Sequence, residues 1–219
     1  MKPTLTLLAF LVSSTLFAQR TSFTDSMSVE ICKTFTNEVN LEDSVRVQYA
    51  FFKHAEAFIS RFEAKEADEM MTRVYFQMQK TCPEFYRVLE ALTPSTTSWK
   101  MVDKEPASRA SEKDCREFFT YKELSYLEAT GDTTRLVVNG NSWTDMFTDG
   151  TYSKLSLEKK NNCDFTITFI ESNNMTRSSL SKKGDRFRYK ILSKENGYYN
   201  MFLEVIGAGI MGTFRIYYK

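Results

Sequence analysis

The strongest constraint in this 219-residue chain is the pattern that begins at Cys115. From there apolar and polar residues alternate, and turn signals recur at short intervals: Gly131-Asp132, Asn139-Gly140, Asp149-Gly150, Asn161-Asn162, Gly184-Asp185, Asn196-Gly197 and Gly207–Gly209. Phe165, Ile167 and Phe169 alternate with threonines, and Phe187, Tyr189 and Ile191 with Arg186, Arg188 and Lys190. Tyr199, Met201, Leu203 and Val205 share one face, as do Phe214, Ile216 and Tyr218. Successive strand residues point to opposite faces, so these runs predict half-buried strands. Asn-Gly and Asp-Gly pairs supply the positive φ that tight hairpins need. The segments amount to about eight antiparallel strands in a meander. Such a meander either closes into a barrel, which removes its exposed edges, or remains a strongly curved open sheet.

The residues before this region follow a helical period. Val29, Cys32 and Phe35 recur at three-residue steps, with Ile31 beside them. Leu41–Phe62 predicts one long helix with Val45, Tyr49, Phe52, Ala55, Ile59 and Phe62 on its buried face. Glu66–Lys80 predicts a second, with a stripe of Met70, Met71, Val74, Tyr75 and Met78. Thr81-Cys82-Pro83-Glu84 reads as the capped start of a third, which buries Phe85, Val88, Leu89 and Leu92. Thr93–Asp114 is rich in Pro, Ser and Thr and predicts a linker, with Trp99 packed onto one of its neighbours. The predicted class is α+β: a signal peptide at 1–18, a small helical array at 19–92, a linker at 93–114 and an antiparallel β-domain at 115–219.

The signal expectation rests on Met1-Lys2-Pro3, an apolar run over Thr4–Phe17 and a small Ala18. The run is shorter than the ~20 residues that span a bilayer, so cleavage leaves no transmembrane segment and implies a secreted or periplasmic protein. Without this leader the chain holds 28 basic and 28 acidic residues, a neutral balance that argues against nucleic acid as a partner. Gln19–Asp114 is mildly acidic and the remainder mildly basic. Four cysteines in an exported chain imply disulfides with three possible connectivities. One bridge in each half pairs Cys32 with Cys82 and Cys115 with Cys163.

Chemistry-bearing motifs are sparse. His54 is the only histidine, and it lies off the apolar stripe of its helix, where an ordinary surface histidine is expected. Glu63, Glu66, Asp68 and Glu69 could pair as hydrolytic carboxylates, but their place at a helix start suits the helix dipole. No P-loop, HExxH or EF-hand pattern occurs, and no cofactor or metal is implied, because the one GxGxxG spacing, at 207–212, is not followed by a helical pattern. The Gly207–Gly212 region precedes a strand and reads as a turn. The stripe Lys182, Lys183, Arg186, Arg188 and Lys190 reads as a solvated face, with an anionic partner as the sharper alternative. The methionines read as helix core, and Asn174-Met175-Thr176 matches a glycosylation sequon. An eight-stranded barrel can hold one small ligand. Its inward aromatics would be Phe165, Phe169, Phe187, Tyr189, Tyr199, Phe214 and Tyr218, which either line a cavity or pack a filled core.

Asp114-Cys115-Arg116-Glu117-Phe118, Asn162-Cys163-Asp164-Phe165, Lys183-Gly184-Asp185 and Cys82-Pro83 together resemble a group of uncharacterised secreted bacterial proteins. The resemblance implies the Cys115–Cys163 pairing and the two-part organisation, and carries no activity. Similarity to lipocalins is confined to the barrel idea, because the Gly-x-Trp signature is absent after Cys115. The function expected is that of an exported, non-catalytic binding protein holding a small apolar ligand. The alternatives are a ligand-free module that engages another envelope or extracellular protein, and a carboxylate hydrolase.

Overall fold

The computed structural model describes residues 23–93 and 97–219. The expected signal peptide and Pro94–Thr96 of the expected linker lie outside the described residues. Contacts divide the chain into two compact units with the division between Phe85 and Tyr86, earlier than the Thr93–Asp114 linker that composition suggests.

The first unit is helical. Helix α1 spans 23–37, followed by α2 (Asp43–Phe52), α3 (Ala55–Ile59) and α4 (Ala64–Thr81); α5 (Pro83–Leu92) begins here and continues into the second unit. In α1 the buried face is Met27, Ile31 and Phe35, while Val29 of the expected stripe is exposed. Ala67, Met70, Val74 and Met78 bury the inner face of α4 as its four-residue period predicts. The single helix expected over Leu41–Phe62 is instead two, broken by a turn at Lys53-His54. Val45, Tyr49, Phe52 and Ile59 of its expected stripe face outward, Ala55 and Phe62 are half-buried with Phe62 against Phe23, and Arg46, Ala50 and Phe58 are fully buried. Arg46 tolerates burial because its guanidinium lies 4.1 Å from the Phe35 ring centroid and bonds Glu84 at 2.9 Å and Asp43 at 3.1 Å. Thr81 does not cap α5. Its hydroxyl donates back to the Gln77 carbonyl, and Glu84 is committed to Arg46. A disulfide joins Cys32 of α1 to Cys82 at the α4–α5 junction.

The second unit is a closed antiparallel barrel of eight strands. These are β2 (Leu124–Leu127), β3 (Thr133–Asn139), β4 (Ser142–Met146), β5 (Tyr152–Lys159), β6 (Asp164–Ser172), β7 (Arg186–Glu195), β8 (Tyr198–Val205) and β9 (Ile210–Tyr218). Each pairs with the next, and β9 returns to β2 through Leu124↔Tyr218 and Ser125↔Tyr217. Closure removes the free edges of the sheet. Gly140 (φ +58°) and Gly197 (φ +88°) supply the left-handed residues of two tight hairpins.

The supposed linker is largely built onto this barrel. A two-residue strand β1 (Lys100–Met101) pairs with Thr213 and Gly212 of β9. Trp99 stacks on Phe214 at 4.1 Å between centroids, as its size demands. The amides of Arg109 and Ala110 both donate to the Leu192 carbonyl, at a register shift in β7. A capping box of Ser111 and Asp114 then starts α6 (Glu112–Phe118). Helix α6 closes the barrel end where β6 begins, held by the Cys115–Cys163 disulfide. The short α7 (Met175–Leu180) sits between β6 and β7 at the opposite end. Among the described residues no helix is long and apolar enough to cross a membrane.

Candidate functional site

The seven aromatics named from the strand pattern share one core. Phe165, Phe169, Tyr199 and Phe214 are buried, and Phe187, Tyr189 and Tyr218 pack partly buried against them. Phe165 stacks on Tyr189 at 5.6 Å, Tyr189 meets Phe214 edge-on at 5.8 Å, and Tyr199 lies 5.4 Å from Tyr218. Trp143 joins from β4, and Phe118 of α6 inserts between Phe165 and Tyr199. At the α6 end Lys194 bonds Glu117 at 2.7 Å and lies within 6 Å of the Tyr121, Tyr199 and Tyr218 ring centroids. The chain's own ammonium therefore occupies this aromatic cage.

The α7 end holds a buried polar cluster that the strand pattern did not reveal. Along β4 the inward positions are Trp143 and Asp145, and Asp145 is only 8% exposed. The Trp143 indole donates to its carboxylate at 3.0 Å. Burial pushes the Asp145 carboxyl up to about 6, against the opposing pull of the Arg177 charge and the Trp143 hydrogen bond. Arg177 reaches in from α7 and pairs with Glu128, which also accepts the Thr134 hydroxyl at 2.6 Å. Burial alone would lower the Arg177 guanidinium, but Tyr126, Glu128 and Asp145 outweigh it and keep it charged. Burial, with the negative field of Asp145, also raises the phenols of Tyr126 and Tyr189. A carboxyl that titrates near neutrality is a candidate acid or base. Here the carboxylate accepts from the Trp143 indole, and the Arg177–Glu128 pair fastens α7 to the barrel mouth. The sequence did hold a signal: Asp145 stands at an inward alternation position two residues from Trp143. Arg177, between strands, had none.

The other expected residues fall elsewhere. Arg188 bonds Asp164, Glu105 and Glu204, and Lys190 bonds Glu105, so two cations of the basic stripe are already neutralised within the chain. Asn174 caps α7 by accepting from the Arg177 amide, and its own amide donates to Thr151 at 2.8 Å. His54 stands at the α2–α3 break, with Nε2 2.9 Å from the Thr34 hydroxyl rather than free on the surface, and burial lowers its pKa. Glu63, Asp68 and Glu69 are exposed around the start of α4, and Glu66 is half-buried. Met70 and Met78 are core, as expected. Among the described residues no group of three or more His, Cys, Asp or Glu side chains could hold a metal ion.

An exposed apolar stripe lies on the helical unit. Phe52 is 81% exposed, Ile59 71%, Val45 46% and Tyr49 39%. Val45, Tyr49, Phe52 and Met71 border an open concavity of about 510 Å³, with Gln48 and Ala55. A contiguous apolar surface of this kind marks an interaction site more often than a lone exposed side chain does. Compared with protein-family models, curated proteins and solved structures, the chain matches none.

Proposed function

We propose that the chain is an exported, non-catalytic binding protein that docks an apolar surface of another protein onto the α2–α3 stripe. In this reading the barrel is a closed, self-filled module. The observation that carries it is the outward placement of Val45, Tyr49 and Phe52 around a concavity, with Ile59 of the following helix also exposed. Aromatic and methionine side chains suit such a surface, because they offer large contact area and adapt to a partner. Two disulfides support an oxidising compartment, and so does the apolar leader pattern.

A small apolar ligand inside the barrel is the second reading. Its support is the aromatic composition of the interior. It would require rings already in mutual contact to be displaced.

Hydrophobic-dye binding combined with native mass spectrometry separates the two. Dye binding that is lost in Phe52→Ser/Ile59→Ser, with no co-purifying small molecule, is the expected result. A lipid-sized adduct that survives that double substitution would overturn the stripe in favour of the barrel.

A further inference from the structure

We infer that the α2–α3 stripe is covered by a second copy of this chain, with two α2 helices meeting antiparallel about a two-fold axis near Gln48. This rests on the docking role proposed for the stripe and names its occupant.

The argument is the order of charge along the stripe. Glu42 precedes α2, Asp43 opens it, and Val45, Tyr49 and Phe52 form its exposed apolar centre. Lys53 closes it as the C-cap residue. Read along α2 the surface is acidic, then apolar, then basic, and the exposed Glu56 lies beyond it in α3. A copy laid antiparallel puts Glu42 opposite Lys53 of its partner at both ends and Val45 opposite Phe52. It also opposes the two helix dipoles favourably. A parallel copy would set like charges together. The isologous arrangement uses the same patch twice, so it closes at two copies and does not propagate.

The surrounding charge weighs against an anionic membrane as occupant. From Phe23 to Phe85 the chain carries 11 acidic and 7 basic residues, so such a surface would repel this unit. The same excess on both copies is dispersed over the unit. Exposed charges farther apart than ~8 Å are screened at physiological salt, whereas Glu42 and Lys53 would touch.

The size of the patch sets the strength. At ~200 Å² for a large side chain, the exposed fractions of Val45, Tyr49, Phe52 and Ile59 amount to roughly 470 Å² per copy. Roughly 950 Å² over two copies falls below a standard stable interface, so the dimer is weak and concentration-dependent.

Sedimentation equilibrium of the purified, disulfide-bonded chain from ~5 to ~500 μM at physiological salt tests this, a range chosen to populate a weak, concentration-dependent dimer. The wild type should approach twice the monomer mass at the upper end, and Phe52→Ser should stay monomeric with an unchanged circular dichroism spectrum. Lys53→Glu should weaken association about tenfold, and Glu42→Lys/Lys53→Glu should restore it, because the swap exchanges the ends of the stripe. A wild type that remains monomeric throughout overturns the inference. So does a dimer indifferent to Phe52→Ser, or a swap that fails to rescue. Should the wild type be monomeric yet bind dye in a Phe52-dependent way, the docking role survives and the self-docking falls. If dye binding is also indifferent to Phe52→Ser, both fall.

Discussion

Replacing Asp145 by Asn should stabilise the barrel at neutral pH and leave it unchanged in acid. The wild-type carboxyl titrates at about 6 in the folded protein against 3.8 for the free side chain. Two pKa units at 1.36 kcal/mol each come to roughly 3 kcal/mol of difference between the ionised and neutral forms. Because the folded-state pKa is raised, the folded protein binds a proton that the unfolded chain has released between pH ~4 and ~6. Stability is therefore highest below pH ~4 as far as this group is concerned. It falls as pH rises through the window, and the whole of the roughly 3 kcal/mol is lost above pH ~6. Asn keeps an acceptor for the Trp143 indole and carries no charge, so its stability should not follow this slope. Urea unfolding followed through the buried Trp143 fluorescence, at half-unit steps from pH 4 to 8 with disulfides intact, measures the difference between the two proteins. It should grow by roughly 3 kcal/mol from the acid end to the neutral end. A flat difference, or one that favours the wild type at pH 7, would refute the reasoning. The Arg177 charge would then outweigh the cost of burying Asp145.

Within the helical unit, Phe58→Ala should cost about 3–5 kcal/mol, since Phe58 is fully buried against Phe23. Phe52→Ser should stay within about 0.5 kcal/mol, and thermal melts of the two variants make the comparison directly. Arg46→Ala should destabilise by about 2 kcal/mol because it leaves Glu84 without its charge partner and uncovers Phe35. Arg46→Met should recover most of that loss in denaturant titrations, by refilling the volume. Removing the second disulfide as Cys115→Ser/Cys163→Ser should cost about 4 kcal/mol, from loop entropy over a sequence separation of 48 residues. Peptide mapping without reductant should return Cys32–Cys82 and Cys115–Cys163 linked fragments, and any cross-link between the two pairs would contradict the fold.

The strand half was more legible than the helical half, for a physical reason. In β6, β7 and β9 a period of two leaves only one choice, which face is inward, and the aromatic positions make it. Phe165, Ile167 and Ile191 are buried accordingly. In α2 an apolar stripe has the same signature whether it meets a core or a partner. There the inward place went to Arg46, because Phe35 and Glu84, remote in sequence, could satisfy its stem and its charge. The candidate surface was thus visible in the sequence as a stripe and misread as core. Asp145 was visible as an inward charge, but its neighbours Glu128 and Arg177 were not visible as a cluster.

The sequence alone determined the α+β order, the antiparallel meander with hairpins at Gly140 and Gly197, and enough cysteines for two bridges. These depend on local φ preferences, short periods and cysteine number. Tertiary structure decided the closure of β9 onto β2, the anchoring of residues 97–111 to the barrel, the placement of a titratable Asp145 beneath α7, and the outward face of Phe52 and Ile59. Each depends on which distant residues arrive to cover or satisfy a group, and no local period encodes that.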